Sequence, residues 1–192
     1  MNTEELNALK EKAYKWAVGH GFHEEERPDA FYLGLVMSEM GEAINADRKG
    51  LHAGINGFRM DMEMGISFKE SFENHIKDSV EDELADIIIR LLDFSGLKGY
   101  TLLISGFSAS PSTAIVDEFS KNGLSGTLFC LIGALSDSIE DDSTEATVGI
   151  VINIFEDCFK TMTCNDEKDL WWFVKQKMAY NELRPMLNGN KY

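Results

Sequence analysis

Glu39 lies in the middle of an apolar helical stripe, and that placement constrains the chain more than any other feature. Between Asp29 and Lys49 the apolar residues recur at helical spacing. On a helical wheel Tyr32, Leu35, Val36, Ala43 and Ala46 all fall within about 60° of Glu39. A carboxylate on that stripe faces a core, where an unpaired charge is very costly. It must be protonated, paired with a base such as Arg48, Arg90 or Lys98, or bound to a metal.

Glu42 follows Glu39 at i+3 and shares its side of the helix. A second acidic pair with the same spacing, Glu83 and Asp86, lies on another helical pattern. There Val80, Leu84, Ile87, Ile88 and Leu91 make the apolar face. Glu83 and Asp86 stand at one edge of that face, with Asp82, Arg90 and Asp93 on the same side. A single acidic pair on a helix is usually solvated. Two pairs facing inward from two helices can surround hard cations, and magnesium takes oxygen ligands and substrate phosphates together.

The rest of the chain reads as helical too, since no run of alternating β-branched residues competes with helical spacing. The three prolines, at 28, 111 and 185, fall at element boundaries. Helices are expected from Thr3, as N-cap, to Val18, and from an Asp29 N-cap to Lys49 with Gly50 as the stop. Residues 51–68, with three glycines, read as a loop. A further helix starts near Ser67 or Lys69 and reaches Ser95, with a break near His75. Others follow over 112–121, 125–140 and 143–163, and a last one runs from an Asp166 cap to Pro185. We expect an all-α helical bundle, one domain over 1–192.

Composition sets limits on partners. The formal net charge is −15 over 192 residues, the opposite of the basic footprint a nucleic-acid binder needs. No apolar run is long enough to span a bilayer, and the first residues lack the pattern of a signal peptide. The three cysteines have no ligand or disulfide spacing, which points to free thiols and a cytoplasmic setting. There is no Walker loop, so a P-loop NTPase is not supported. No Glu-x-x-His occurs, which argues against a ferritin-like di-iron centre.

Near the C-terminus Lys177, Tyr180, Asn181 and Arg184 share one helix face by spacing, two cations with an amide and an aromatic ring. That set suits phosphate and base contacts. The bland alternative is a terminal helix whose basic end complements its dipole.

Taken together, Glu39-Met40-Gly41-Glu42, Glu83-Leu84-Ala85-Asp86 and the tail Lys177, Tyr180-Asn181, Arg184-Pro185, Gly189, Lys191-Tyr192 resemble the MazG-like all-α nucleoside triphosphate pyrophosphohydrolases. That superfamily includes the dimeric dUTPases and the phosphoribosyl-ATP pyrophosphohydrolases. Two departures stand out: residues 51–70 lengthen the gap between the acidic pairs, and Asn188 stands where the family has a histidine. The resemblance covers roughly residues 1–98 and 170–192. Residues 100–165 match nothing in the pattern and read as an inserted set of helices between the metal-binding core and the C-terminal helix.

The resemblance implies Mg2+, or Mn2+, bound by Glu39, Glu42, Glu83 and Asp86, with Glu39 or Glu42 as the base for water. It implies substrate contacts from Lys177, Tyr180, Asn181, Arg184 and Lys191. The implied reaction is hydrolysis of a nucleoside triphosphate to the monophosphate and pyrophosphate, by a homodimer or larger homo-oligomer. The competing reading is a helical scaffold or nucleotide-binding module without turnover.

Among other residues, His20 and His23 read as a solvated loop in preference to a zinc site. Trp171 and Trp172 read as packing anchors. Met60, Met62 and Met64 suggest an adaptable lid near the site.

Overall fold

The computed structural model describes residues 1–103, 113–163 and 167–185. They form eight helices and no strand: α1 (Thr3–Gly19), α2 (Asp29–Lys49), α3 (Ile55–Glu63), α4 (Phe68–His75), α5 (Val80–Lys98), α6 (Thr113–Glu140), α7 (Thr144–Thr163) and α8 (Leu170–Asn181). The all-α expectation holds. No helix among these residues is long and apolar enough to cross a membrane.

Several boundaries differ from the sequence expectation for identifiable reasons. The N-cap of α1 is Asn2, not Thr3. Asn2 accepts from the Glu5 backbone N–H, and the Glu5 side chain accepts from the Asn2 N–H, a reciprocal capping box. Asp29 is the first helical residue of α2 instead of its cap; Pro28 precedes it, and Asp29 accepts from Lys98 at 3.0 Å. Residues 51–68 are not a plain loop, because α3 forms within them, burying Ile55 and Phe58. The break near His75 is real. Asp78, between α4 and α5, has φ 62°, a left-handed conformation that no helix interior tolerates. The expected helices over 112–121 and 125–140 lie within one element, α6, interrupted at Gly123, where φ is 63° and ψ −167°. Asp169 caps α8, accepting from the Trp172 N–H, and α8 ends before Pro185. The proposed cap Asp166 lies outside the described residues.

Helix α5 runs through the centre of the bundle. Val80, Leu84, Ala85, Ile87, Ile88, Leu91 and Leu92 have no solvent exposure. A helix buried on nearly all sides must be covered on nearly all sides, and α1, α2, α7 and α8 pack around it. Each Leu or Ile buried this way contributes about 1.5–3 kcal/mol. The inserted region is part of the same core: α6 packs on α2 and α7, and Leu135, Val148 and Phe155 join the hydrophobic cluster that holds α5. The segment leaving α5 is pinned to α1. Lys10 Nζ donates to the Tyr100 carbonyl at 2.6 Å, and Asn7 bonds both the N–H and the carbonyl of Leu102. Trp171 and Trp172 are the packing anchors expected of them. Trp171 is buried and donates to Glu156, and Trp172 meets Phe58 and Phe173 edge-on.

The approach of α1 to α5 depends on Gly96. A Cβ there would sit 2.4 Å from Tyr14 Cβ and 2.9 Å from Tyr14 Cγ. In an open helix Gly→Ala stabilises by about 1 kcal/mol. Here the clash outweighs that gain, and Gly96→Ala is expected to cost about 1–3 kcal/mol through overpacking. Urea denaturation checks this; a variant with a higher midpoint than the wild type would contradict the close packing.

Candidate functional site

The two acidic pairs meet in one cleft. It holds about 270 Å³ and is lined by Glu39 and Glu42 of α2, Glu83 and Asp86 of α5, and Lys177, Tyr180, Asn181 and Arg184 at and just beyond α8. All the candidate residues are therefore brought together except Lys191, which lies outside the described residues. Trp16, Ala17 and Phe22 form part of the opposite wall, where Trp16 stacks on His20 with ring centroids 4.1 Å apart. Met60, Met62 and Met64 are exposed on or just after α3 and do not line this cleft.

Carboxylate oxygens of Glu39, Glu83 and Asp86 lie within 4.8 Å of one another. Glu39 sits as its apolar stripe demands, largely buried with Tyr32, Val36, Ala43 and Ala46 beside it on α2. Its base is Arg90, whose Nε donates to Glu39 Oε1 at 3.0 Å. Among the described residues no hydrogen bond or ion pair reaches the carboxylates of Glu83 or Glu42. Glu42 is exposed at the cleft, but Glu83 is buried, 4% exposed.

The energetic consequence appears in protonation. Burial, with the Asp86 charge adding to it, pushes Glu83 from its ordinary 4.5 up to about 8, against the pull of Lys177. Burial and Asp86 likewise raise Glu39, while Arg90 opposes them. Six carboxylates and four cationic side chains line the cleft, so it carries surplus negative charge. A hard oxygen donor set, with one buried carboxylate lacking any partner, fits a divalent cation.

Further residues belong to this site that the acidic-pair pattern does not mark. Asp82 is 1% exposed and pushed up to about 6, by burial first, despite Lys177. Its Oδ2 accepts from Lys177 Nζ at 2.7 Å and from the Asp78 N–H at 3.0 Å, while its buried Oδ1 has no partner. Lys177 Nζ also lies 2.7 Å from Asp86 Oδ2. Burial alone would lower the Lys177 ammonium, but Asp86 and Asp82 outweigh it and hold the lysine charged. Asp78, Asp82 and Glu83 form a second close group that shares Glu83 with the first. Helical spacing does put Asp82 and Asp86 one turn apart; nothing in the local sequence reveals that Lys177 comes between them.

Tyr180 and the histidines have partners that local spacing does not show. The Tyr180 ring stacks on Phe72 at 4.5 Å, and its hydroxyl donates to Glu73 at 2.8 Å. His23 is not solvated. Its Nε2 lies 2.7 Å from Asp93 Oδ1, its side chain is buried, and Tyr14 and Tyr32 flank its ring. His20 faces the Trp16 carbonyl through Nδ1. No histidine belongs to a cluster with metal-ligand geometry among the described residues.

A carboxyl that stays protonated in the folded state to about pH 8, but ionises near 4.5 when unfolded, removes stability as pH rises through that window. With EDTA present, thermal stability is expected to fall between about pH 4.5 and pH 8, and less steeply in Glu83→Gln. Melting curves of both proteins across the range check this; equal slopes would contradict it. Comparison of the chain with protein-family models, with curated proteins and with solved structures finds no match in any of the three.

Proposed function

We propose that this protein is a magnesium-dependent nucleoside triphosphate pyrophosphohydrolase, acting on an NTP or dNTP to give the monophosphate and pyrophosphate. The observation that carries this reading is the convergence of Glu39, Glu83 and Asp86 within 4.8 Å, in a cleft that also holds Asn181 and Arg184. Glu39, Glu83 and Asp86, with Glu42 at the lip, are the residues that would hold the metal. Bound there, Mg2+ supplies charge neutralisation for the polyphosphate and a lowered pKa for the attacking water.

The chain's own residues do the rest. Arg90 holds Glu39 through Oε1. Glu42 has no described partner and is the proton acceptor for water. Arg184 offers a guanidinium fork to phosphate oxygens, and Asn181, to whose Oδ1 the Arg184 Nη1 donates at 3.5 Å, sets its approach. The Trp16 and Phe22 wall excludes water and gives an apolar surface to the nucleoside.

Pyrophosphate release measured over a panel of canonical and modified NTPs and dNTPs, with Mg2+ and with EDTA, tests the reading. Release is expected only with the metal. Glu39→Gln is expected to lower it about 100-fold or more, at or beyond the upper end of what loss of a metal-supporting residue costs. Release that survives EDTA, full activity in Glu39→Gln, or orthophosphate as the product would each overturn it.

A further inference from the structure

Lys177 is a cleft cation buried between two carboxylates of α5. Its side chain is 6% exposed, and its ammonium lies 2.7 Å from Asp82 Oδ2 and 2.7 Å from Asp86 Oδ2. Asp82 and Asp86 stand one helical turn apart on α5, so one ammonium from α8 bridges both. A lysine held this way has little freedom to reach out to a phosphate.

The two carboxylates are not equivalent. Asp82 is closed off from solvent, with a side chain 1% exposed, and takes the Asp78 backbone N–H as well as Lys177. Asp86 has a side chain 19% exposed and borders the cleft with Glu39 and Glu83. Removing either member of a buried ion pair strands the other, so Lys177 and Asp82 have to be treated as a unit. Without Asp82, the lysine would place its whole charge on Asp86 and offset the anion that a metal needs. Without Lys177, nothing described would fix the Asp86 rotamer.

We propose that Lys177 and Asp82 are a positioning pair for the cation site. Lys177 holds Asp86 by Oδ2 and leaves Oδ1 for a cation. Asp82 absorbs the lysine's charge, so that Asp86 stays fully anionic toward the cleft. Lys177 then acts through Asp86 and is not itself a substrate contact. This inference rests on the reading that Glu39, Glu83 and Asp86 take a divalent cation. Ligand-supporting residues of this kind change metal affinity without touching the metal.

The test uses the full chain and Mn2+ alone, counting free Mn2+ by electron paramagnetic resonance at a temperature where circular dichroism shows each protein folded. Two variants are compared with the wild type. Lys177→Met with Asp82→Asn removes one charge of each sign, so no buried ion is stranded. Asp82→Asn alone keeps the side-chain shape. Both are expected to bind Mn2+ about tenfold or more weakly, although neither changes a residue of the Glu39, Glu83 and Asp86 cluster. Wild-type affinity in either folded variant overturns the positioning role and leaves the metal reading intact. Absence of Mn2+ uptake by the wild type overturns both.

Discussion

The structure depends on satisfying charges along a helix that runs through its core. Helix α5 is buried almost all round, yet it carries Glu81, Asp82, Glu83, Asp86, Arg90 and Asp93. Unpaired, such groups would cost several kcal/mol each. Five of them draw in four other parts of the chain. Glu81 accepts from the Ala53 N–H at 2.9 Å and fixes the entry to α3. Asp82 and Asp86 take Lys177 and dock α8. Arg90 takes Glu39 and sets the facing of α2. Asp93 takes His23 and folds the connection between α1 and α2 against the bundle. Hydrophobic burial supplies the driving force, and these pairs fix how the helices are placed around α5.

Among the described residues, no hydrogen bond or ion pair reaches the carboxyl of Glu83, another member of this series. It lies in the middle of the buried run, within reach of Glu39 and Asp86 on one side and Asp78 and Asp82 on the other. Burial keeps this carboxyl protonated up to about pH 8, so its ionisation needs positive charge supplied at the cleft. Magnesium with its substrate phosphates would meet that need with the oxygen ligands it prefers. The structure thus ties a stability problem and a functional proposal to the same atoms.

How much of this was legible in the sequence follows from the range of each interaction. Glu39 was legible because periodicity alone places it among Tyr32, Val36 and Ala43, all of them buried. The apolar face of α5 was legible for the same reason. The Asn2 and Glu5 capping box is local, two residues three apart, and so is legible in the sequence. Helix α3 was hidden because it is short and flanked by glycines, and it owes its stability to Ile55 and Phe58 reaching the core. The bridge from Lys177 to Asp82 and the burial of His23 on Asp93 join residues far apart in sequence, so no local pattern encodes them. The expected substrate role of Lys177 rests on a tail pattern; its two carboxylate partners lie far away in sequence and that pattern does not show them.

The functional proposal stands on a divalent-cation site at the carboxylates of Glu39, Glu83 and Asp86. Crystals soaked in Mn2+ and measured at a wavelength where manganese scatters anomalously test it most directly. An anomalous peak is expected among those three side chains, with Glu83 coordinating. A peak elsewhere in the molecule, or none while Glu39 remains on Arg90 and Glu83 stays unpartnered, would contradict it.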